Sequence, residues 1–193
     1  MDGPTYIPAV SGGPLRQGEV LSSVEQYDVQ VSSEGDEGPV SARRRMHPFS
    51  VVLTQDCDLA QDFKGRTSGS PSDTRLLIPN ILMCEVDLAE NLKVDRDRIA
   101  LGSDIWKRVV QNQDCRFQYL REITAEFDAL GEGIKALLID FKHTFSLQTE
   151  MLYEQLHRAA RRRAVLMSPY REQLSFRHAH FISRVALPRD HHA

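Results

Sequence analysis

Two kinds of hydrophobic spacing alternate along this chain. Val20 to Val31 and Phe49 to Gln55 have strand character. The second is rich in Val and flat in hydrophobicity, the pattern of a strand covered on both faces. Arg75 to Leu82 reads as a further strand, with Pro79 placing it at an edge or a bulge. Cys115 to Leu120 alternates Phe117 and Tyr119 with polar neighbours. Lys135 to Leu147 sets Leu137, Ile139 and Phe141 on one face and Leu138, Asp140 and Lys142 on the other. Helical spacing begins at Ser103, where a capping Ser and Asp104 precede a stripe of Ile105, Trp106, Val109 and Val110. Cys84 to Asn91 fits a short helix less clearly. The last third predicts two helices. One is capped by Thr149 and runs to about Leu166; the other starts at Ser168-Pro169, buries Leu174, Phe181, Ile182 and Val185, and stops before Pro188.

Polar punctuation separates these elements. Residues 1–18 hold Pro4, Pro8 and Pro14 and read as an extended lead-in. Residues 32–47 form a long loop, acidic first and basic at Arg43, Arg44 and Arg45, and Lys64 to Asp73 forms a second. Strands joined by loops, with helices gathered late, predict an α+β plan: a β domain over 19–148 with one inserted helix, and a helical pair over 149–187 packed on it.

Composition sets the broad class. At 193 residues, 41% apolar and 26% charged, the chain suits one globular domain with a real core. No apolar run nears the roughly 20 residues that span a bilayer, and no signal pattern opens the chain, so no membrane role is expected. Cys57, Cys84 and Cys115 are odd in number and widely spaced, which points to reduced thiols in a cytoplasmic setting and to no structural metal or cofactor. The net charge of -3 is uneven: from Glu150 onward eight Arg face four acidic residues, giving +4, so the first 149 residues carry -7.

The segments Gln17-Gly18-Glu19-Val20, His47-Pro48-Phe49-Ser50-Val51-Val52-Leu53-Thr54-Gln55-Asp56 and Arg75 to Leu82 resemble the MazF/PemK toxin family over about residues 17–82. The resemblance implies a small SH3-like antiparallel β-barrel, here with a C-terminal pair of helices, and a bacterial defence or toxin–antitoxin setting. Members of the family that act as toxins cut RNA. Their catalytic Arg precedes a Pro, a place taken here by His47, and their catalytic hydroxyl closes the strand that here ends Asn80-Ile81-Leu82-Met83.

The candidate chemistry follows from these positions. His47 with Arg45 supplies a base and a cation for phosphate chemistry, and Arg43 and Arg44 extend a phosphate-binding cluster. Cys57 is a candidate nucleophile with His47 or His143 as base, although Asp56 and Asp58 beside it oppose a thiolate. Gln55, Asp56 and Asp58 form a polar group at a strand end, where a rigid strand presents an exposed loop. Asp56, Asp58 and Asp62 could hold Mg²⁺ through oxygen ligands, but a turn into a short helix with Asp58 as its cap explains them and is the preferred reading, with no metal expected. Asp140 and His143, three apart on a strand, are expected on opposite faces. Arg158, Arg161 and Arg162 share a face if helical and suit either nucleic acid or the acidic body of the same protein.

Three functions compete on this reading. The first is a binding or regulatory module acting on a protein partner or on RNA or DNA, possible as a homodimer. The second is a metal-independent endoribonuclease with an altered catalytic pair, and the third is a Cys-dependent hydrolase. Loss of the Arg-Pro and of the terminal hydroxyl favours the first.

Overall fold

A computed structural model of the chain describes residues 4–31, 40–69, 71–94 and 102–184. Seven strands form one antiparallel open sheet: β1 (Tyr6–Pro8), β2 (Glu19–Val31), β3 (Val40–Val52), β4 (Asn80–Leu88), β5 (Phe117–Leu120), β6 (Leu137–Gln148) and β7 (Arg161–Leu166). Their order is β1-β7-β2-β3-β4-β6-β5. The helices are α1 (Asp56–Ser68), α2 (Ala89–Val94), α3 (Ser103–Val110), α4 (Thr149–Arg158) and α5 (Tyr170–Ile182). No described helix is long and apolar enough to cross a membrane.

The flat hydrophobicity of the Val-rich run has a direct cause. Successive residues of a strand face opposite ways, and here both faces are covered. Val20, Val51, Cys84 and Ile139 enter one core, closed by Leu174 of α5. Their neighbours Leu21, Val52 and Met83 enter a second core, closed by Leu59 of α1 and Leu152 of α4. A smaller cluster of Ala89, Val109, Phe117 and Leu138 lies under α3.

Two irregularities break the alternation. Leu21 and Val24 both reach the second core although three residues apart. The change of face occurs at Ser23, whose φ of 60° lies in the left-handed region that L-residues seldom adopt. On β6 the pairing jumps from Cys84↔Thr144 to Val86↔Ile139, leaving residues 140–143 to bulge against Glu85 alone. The bulge brings His143 Nδ1 to 3.7 Å from Asp140 Oδ2, so the expectation that these two point apart is corrected.

The sheet edges approach one another without a ladder between β1 and β5 among the described residues. The Tyr6 hydroxyl donates to the Arg121 carbonyl at 2.9 Å. Asp128 accepts two hydrogen bonds from Arg163 on β7, at 2.7 and 2.6 Å, and also takes the N–H groups of Leu130, Glu132 and Gly133. Both side chains of this pair are buried.

Several boundaries differ from the sequence reading. Residues 161–166, expected to extend the first C-terminal helix, are strand β7, so α4 and α5 are parted by a sheet strand and cover opposite faces. Residues 40–47, expected as loop, are the outer half of β3, while 32–39 lie outside the described residues. Lys64 to Ser68, also expected as loop, completes α1, whose N-cap is Gln55 and not Asp58. Arg75 and Leu76 belong to a 3₁₀ turn, and β4 starts only at Asn80 and runs through the ambiguous segment to Leu88.

Candidate functional site

Two regions gather the chemistry-bearing residues. The first is a cleft of about 480 Å³ where the start of α1 meets α5, lined by Gln17, Gln55, Asp56, Cys57, Arg171, Glu172, Ser175 and Phe176. β3 ends at Val52 and the chain turns directly into α1, so Gln55 through Cys57 fall at the mouth. Asp56 sits in the first turn of α1, where the helix dipole favours a carboxylate. Arg16 donates to it through Nε and Nη2 at 3.2 and 2.9 Å, the Gln17 N–H donates at 2.7 Å, and Arg171 closes the other side. Burial pushes the Asp56 carboxyl up, but Arg16, the Gln17 N–H and Arg171 outweigh it and hold the group below the ordinary carboxylate range.

Cys57 is exposed, with Sγ 3.7 Å from both Gln55 Oε1 and Asp58 Oδ1. Among the described residues no histidine lines the cleft. The three carboxylates weighed as a Mg²⁺ set do not converge: Asp56 faces Arg16 and Arg171, whereas Asp62 is buried against Arg66 and the Ile78 N–H. Among the described residues no group of three His, Cys, Asp or Glu side chains is arranged to hold a metal ion.

The second region is the hairpin of β2 and β3. β7 accompanies β2 only along Glu19 to Ser22, and β4 accompanies β3 only from Phe49 to Val52. Beyond that, the rungs from Gln26↔Arg45 to Val31↔Val40 continue as a two-stranded arm. At about 3.4 Å per residue the arm extends roughly 17 Å. Its base is fixed by Gln155 of α4, which accepts from the Glu25 N–H and donates to the Glu25 carbonyl, each at 2.8 Å, in place of a neighbouring strand.

Opposed residues share a face, so Tyr27, Val29, Arg44 and Met46 lie on one side of the arm and Gln26, Asp28, Arg43, Arg45 and His47 on the other. The three arginines therefore do not form one loop cluster. Tyr27, Val29 and Met46 are exposed, Val29 to 67%. Arg44 pairs with Glu25 at 3.5 Å and Arg45 with Glu85 at 2.7 Å.

His47 marks the inner end of the polar side. It is 1% exposed, stacked on Phe145 at 4.0 Å between ring centroids, and bonded through Nε2 to Gln26 Oε1 at 3.0 Å. Its Nδ1 has no hydrogen-bond partner and stands 3.9 Å from Glu85 Oε2. Burial lowers the imidazole pKa; Glu85 opposes the shift and Arg45 adds to it. His47 and Arg45 are thus brought together around Glu85, while Cys57 lies in the other region.

The C-terminal arginines do not share a helix face. Arg158 is on α4 with Glu154 at 3.0 Å, and Arg161, on β7, donates to the Ala160 carbonyl at 3.0 Å. Arg162 holds the buried Glu19 and donates to the Gly13 and Pro14 carbonyls, both at 2.8 Å. The sequence reading missed Arg16, Arg171 and Glu85. Of these, only Glu85 carries a sequence signal, a charge set between the apolar strand residues Cys84 and Val86. No protein-family model matches this chain, and comparison with curated proteins and with solved structures likewise gives no match.

Proposed function

We propose that this protein is a binding module that engages a protein partner through the β2–β3 arm. The observation that carries the reading is the arm itself, an uncovered two-stranded ribbon with Tyr27, Val29 and Met46 exposed beside Arg44. Unpaired strand edges next to exposed apolar side chains are what a partner strand or apolar surface completes. A second copy of the chain is one such partner. The curl of the sheet, with Tyr6 reaching Arg121, supports an SH3-like barrel as the scaffold, and a toxin–antitoxin or defence setting is what the MazF/PemK resemblance implies.

The alternatives draw on less of the geometry. A general base must reach its proton, whereas His47 is enclosed by Phe145 and Gln26. A Cys nucleophile needs a base, and no histidine among the described residues lines the Cys57 cleft. Nucleic acid remains the second partner class, on one observation: Arg43 makes no ion pair among the described residues and stands on a ribbon of a shape that a major groove admits.

The test uses the full chain and a Tyr27→Ser, Val29→Ser, Met46→Ser variant. Expected are a protein, or self-association, retained by the wild type and lost by the variant, and no cleavage of a mixed RNA pool. RNA cleavage that survives EDTA and vanishes in His47→Ala would overturn the reading. A salt-sensitive RNA or DNA shift with no protein partner would replace it with the nucleic-acid class.

A further inference from the structure

A second concave site lies away from both regions, at the seam where the sheet edges approach. It is a cavity of about 340 Å³ between β5, the N-terminal strand β1 and the start of α5. This is the small end of the size range for ligand pockets. Its walls combine tyrosine rings, Tyr6, Tyr119 and Tyr170, with the amides of Gln111, Gln118 and Gln173.

Gln118 singles the cavity out. On β5 it is paired with Ile139 of β6, and it lines the cavity from the edge of the sheet. The residue is 2% exposed, and Oε1 has no hydrogen-bond partner. Two neighbouring polar side chains are engaged elsewhere. Asn112 exchanges hydrogen bonds with the Tyr119 backbone at 3.0 and 2.6 Å, and the Tyr6 hydroxyl donates to the Arg121 carbonyl. A buried amide oxygen without a donor destabilises a fold unless something else completes it. Leucine or methionine would fill this position without that cost, so the amide is explained by a partner from outside the chain.

We propose that this cavity binds a small, uncharged, planar molecule carrying an N–H beside a C=O, the edge of a cyclic amide, which pairs with the Gln118 side-chain amide while its ring packs against the tyrosines. A primary amide offers one donor group and one acceptor side by side, so such an edge satisfies both at once. Aromatic walls suit a flat ring. The lining carboxamides and hydroxyls match a neutral ligand, and among the described residues Arg121 is the one cationic residue of the lining. Two sources share this chemistry, a nucleobase such as uracil and a cyclic dipeptide.

The experiment is a titration of the full-length chain with uracil and, separately, with cyclo(Gly-Gly), followed in wild type and variants through the backbone amide resonances of 118–121 and the melting temperature. Expected is a saturable shift with at least one probe at millimolar concentration, abolished in the near-isosteric Gln118→Met and unchanged in Cys57→Ala. The probe that saturates names the source. No saturable shift with either probe, or equal binding by Gln118→Met, would overturn the proposal. Should Gln118→Met fail to fold, Tyr170→Ala at the cavity wall serves instead, with at least a tenfold weakening expected and unchanged binding overturning the proposal.

Discussion

The cleft at Asp56 and the arm of β2 and β3 are both polar regions at the ends of strands, yet they resolve their charges in opposite ways. In the cleft each charge is answered from within the chain: Arg16 and Arg171 hold Asp56, and Arg162 holds Glu19 behind it. These contacts join the lead-in, β2, α1, β7 and α5, so they act as fasteners of the body. On the arm the ion pairs link only adjacent strands, and Tyr27, Val29 and Met46 stay exposed. Convergent charge in a cleft is therefore a weaker sign of a binding surface here than an uncovered ribbon is.

Substitutions should separate the two regions sharply. The largest effect is expected in the body, at the seam. Asp128→Ala removes the bidentate partner of the buried Arg163 and leaves it only the exposed Glu132 at 3.0 Å, which should cost about 3 kcal/mol in urea-induced unfolding. A loss under 1 kcal/mol would show that the seam does not hold the curled sheet. Next, Asp56→Ala removes charge-assisted hydrogen bonds from Arg16 and Gln17 and should cost about 2 kcal/mol; an unchanged unfolding midpoint would make the cleft a binding feature after all.

A pH titration probes the junction of body and arm. His47 has a lowered pKa in the folded state, so the unfolded chain binds a proton first, near its ordinary value of about 6.5. Stability contributed by neutral His47 is complete above that pH and is lost as pH falls below it. His178, also lowered by burial, adds to the same decline. His47→Gln should flatten the acid loss relative to wild type, and an identical pH profile would place the sensitivity elsewhere. The smallest effect belongs to the arm: Tyr27→Ser with Val29→Ser and Met46→Ser should each change stability within about 0.5 kcal/mol, while partner capture is lost.

Part of this was legible in the sequence. The Val-rich run at Phe49 announced a strand covered on both faces because every side chain in it is apolar or small, and the polar residues after it do reach a cleft, through Gln55, Asp56 and Cys57. The arm was not legible. A ribbon solvated on both faces has no hydrophobic period, so Val40 to Met46 resembled a basic loop. β7 was misread for a related reason. Arg161, Arg162 and Arg163 have good helix propensity, but pairing with β1 and β2 and partners at Glu19 and Asp128 decide the outcome. Asp140 and His143 were separated by strand parity, which a bulge cancels and which no local signal announces. The long-range partners of Asp56 were out of reach altogether, since Arg171 is 115 residues away in sequence.

The most direct test of the division between body and arm is amide hydrogen exchange on the chain alone and with its captured partner. This division predicts fast exchange along 26–31 and 40–46 in the free chain, slowed when the partner binds, with no change at 55–58 or 171–176. Slowing confined to the Asp56 cleft, with the arm unaffected, would contradict it.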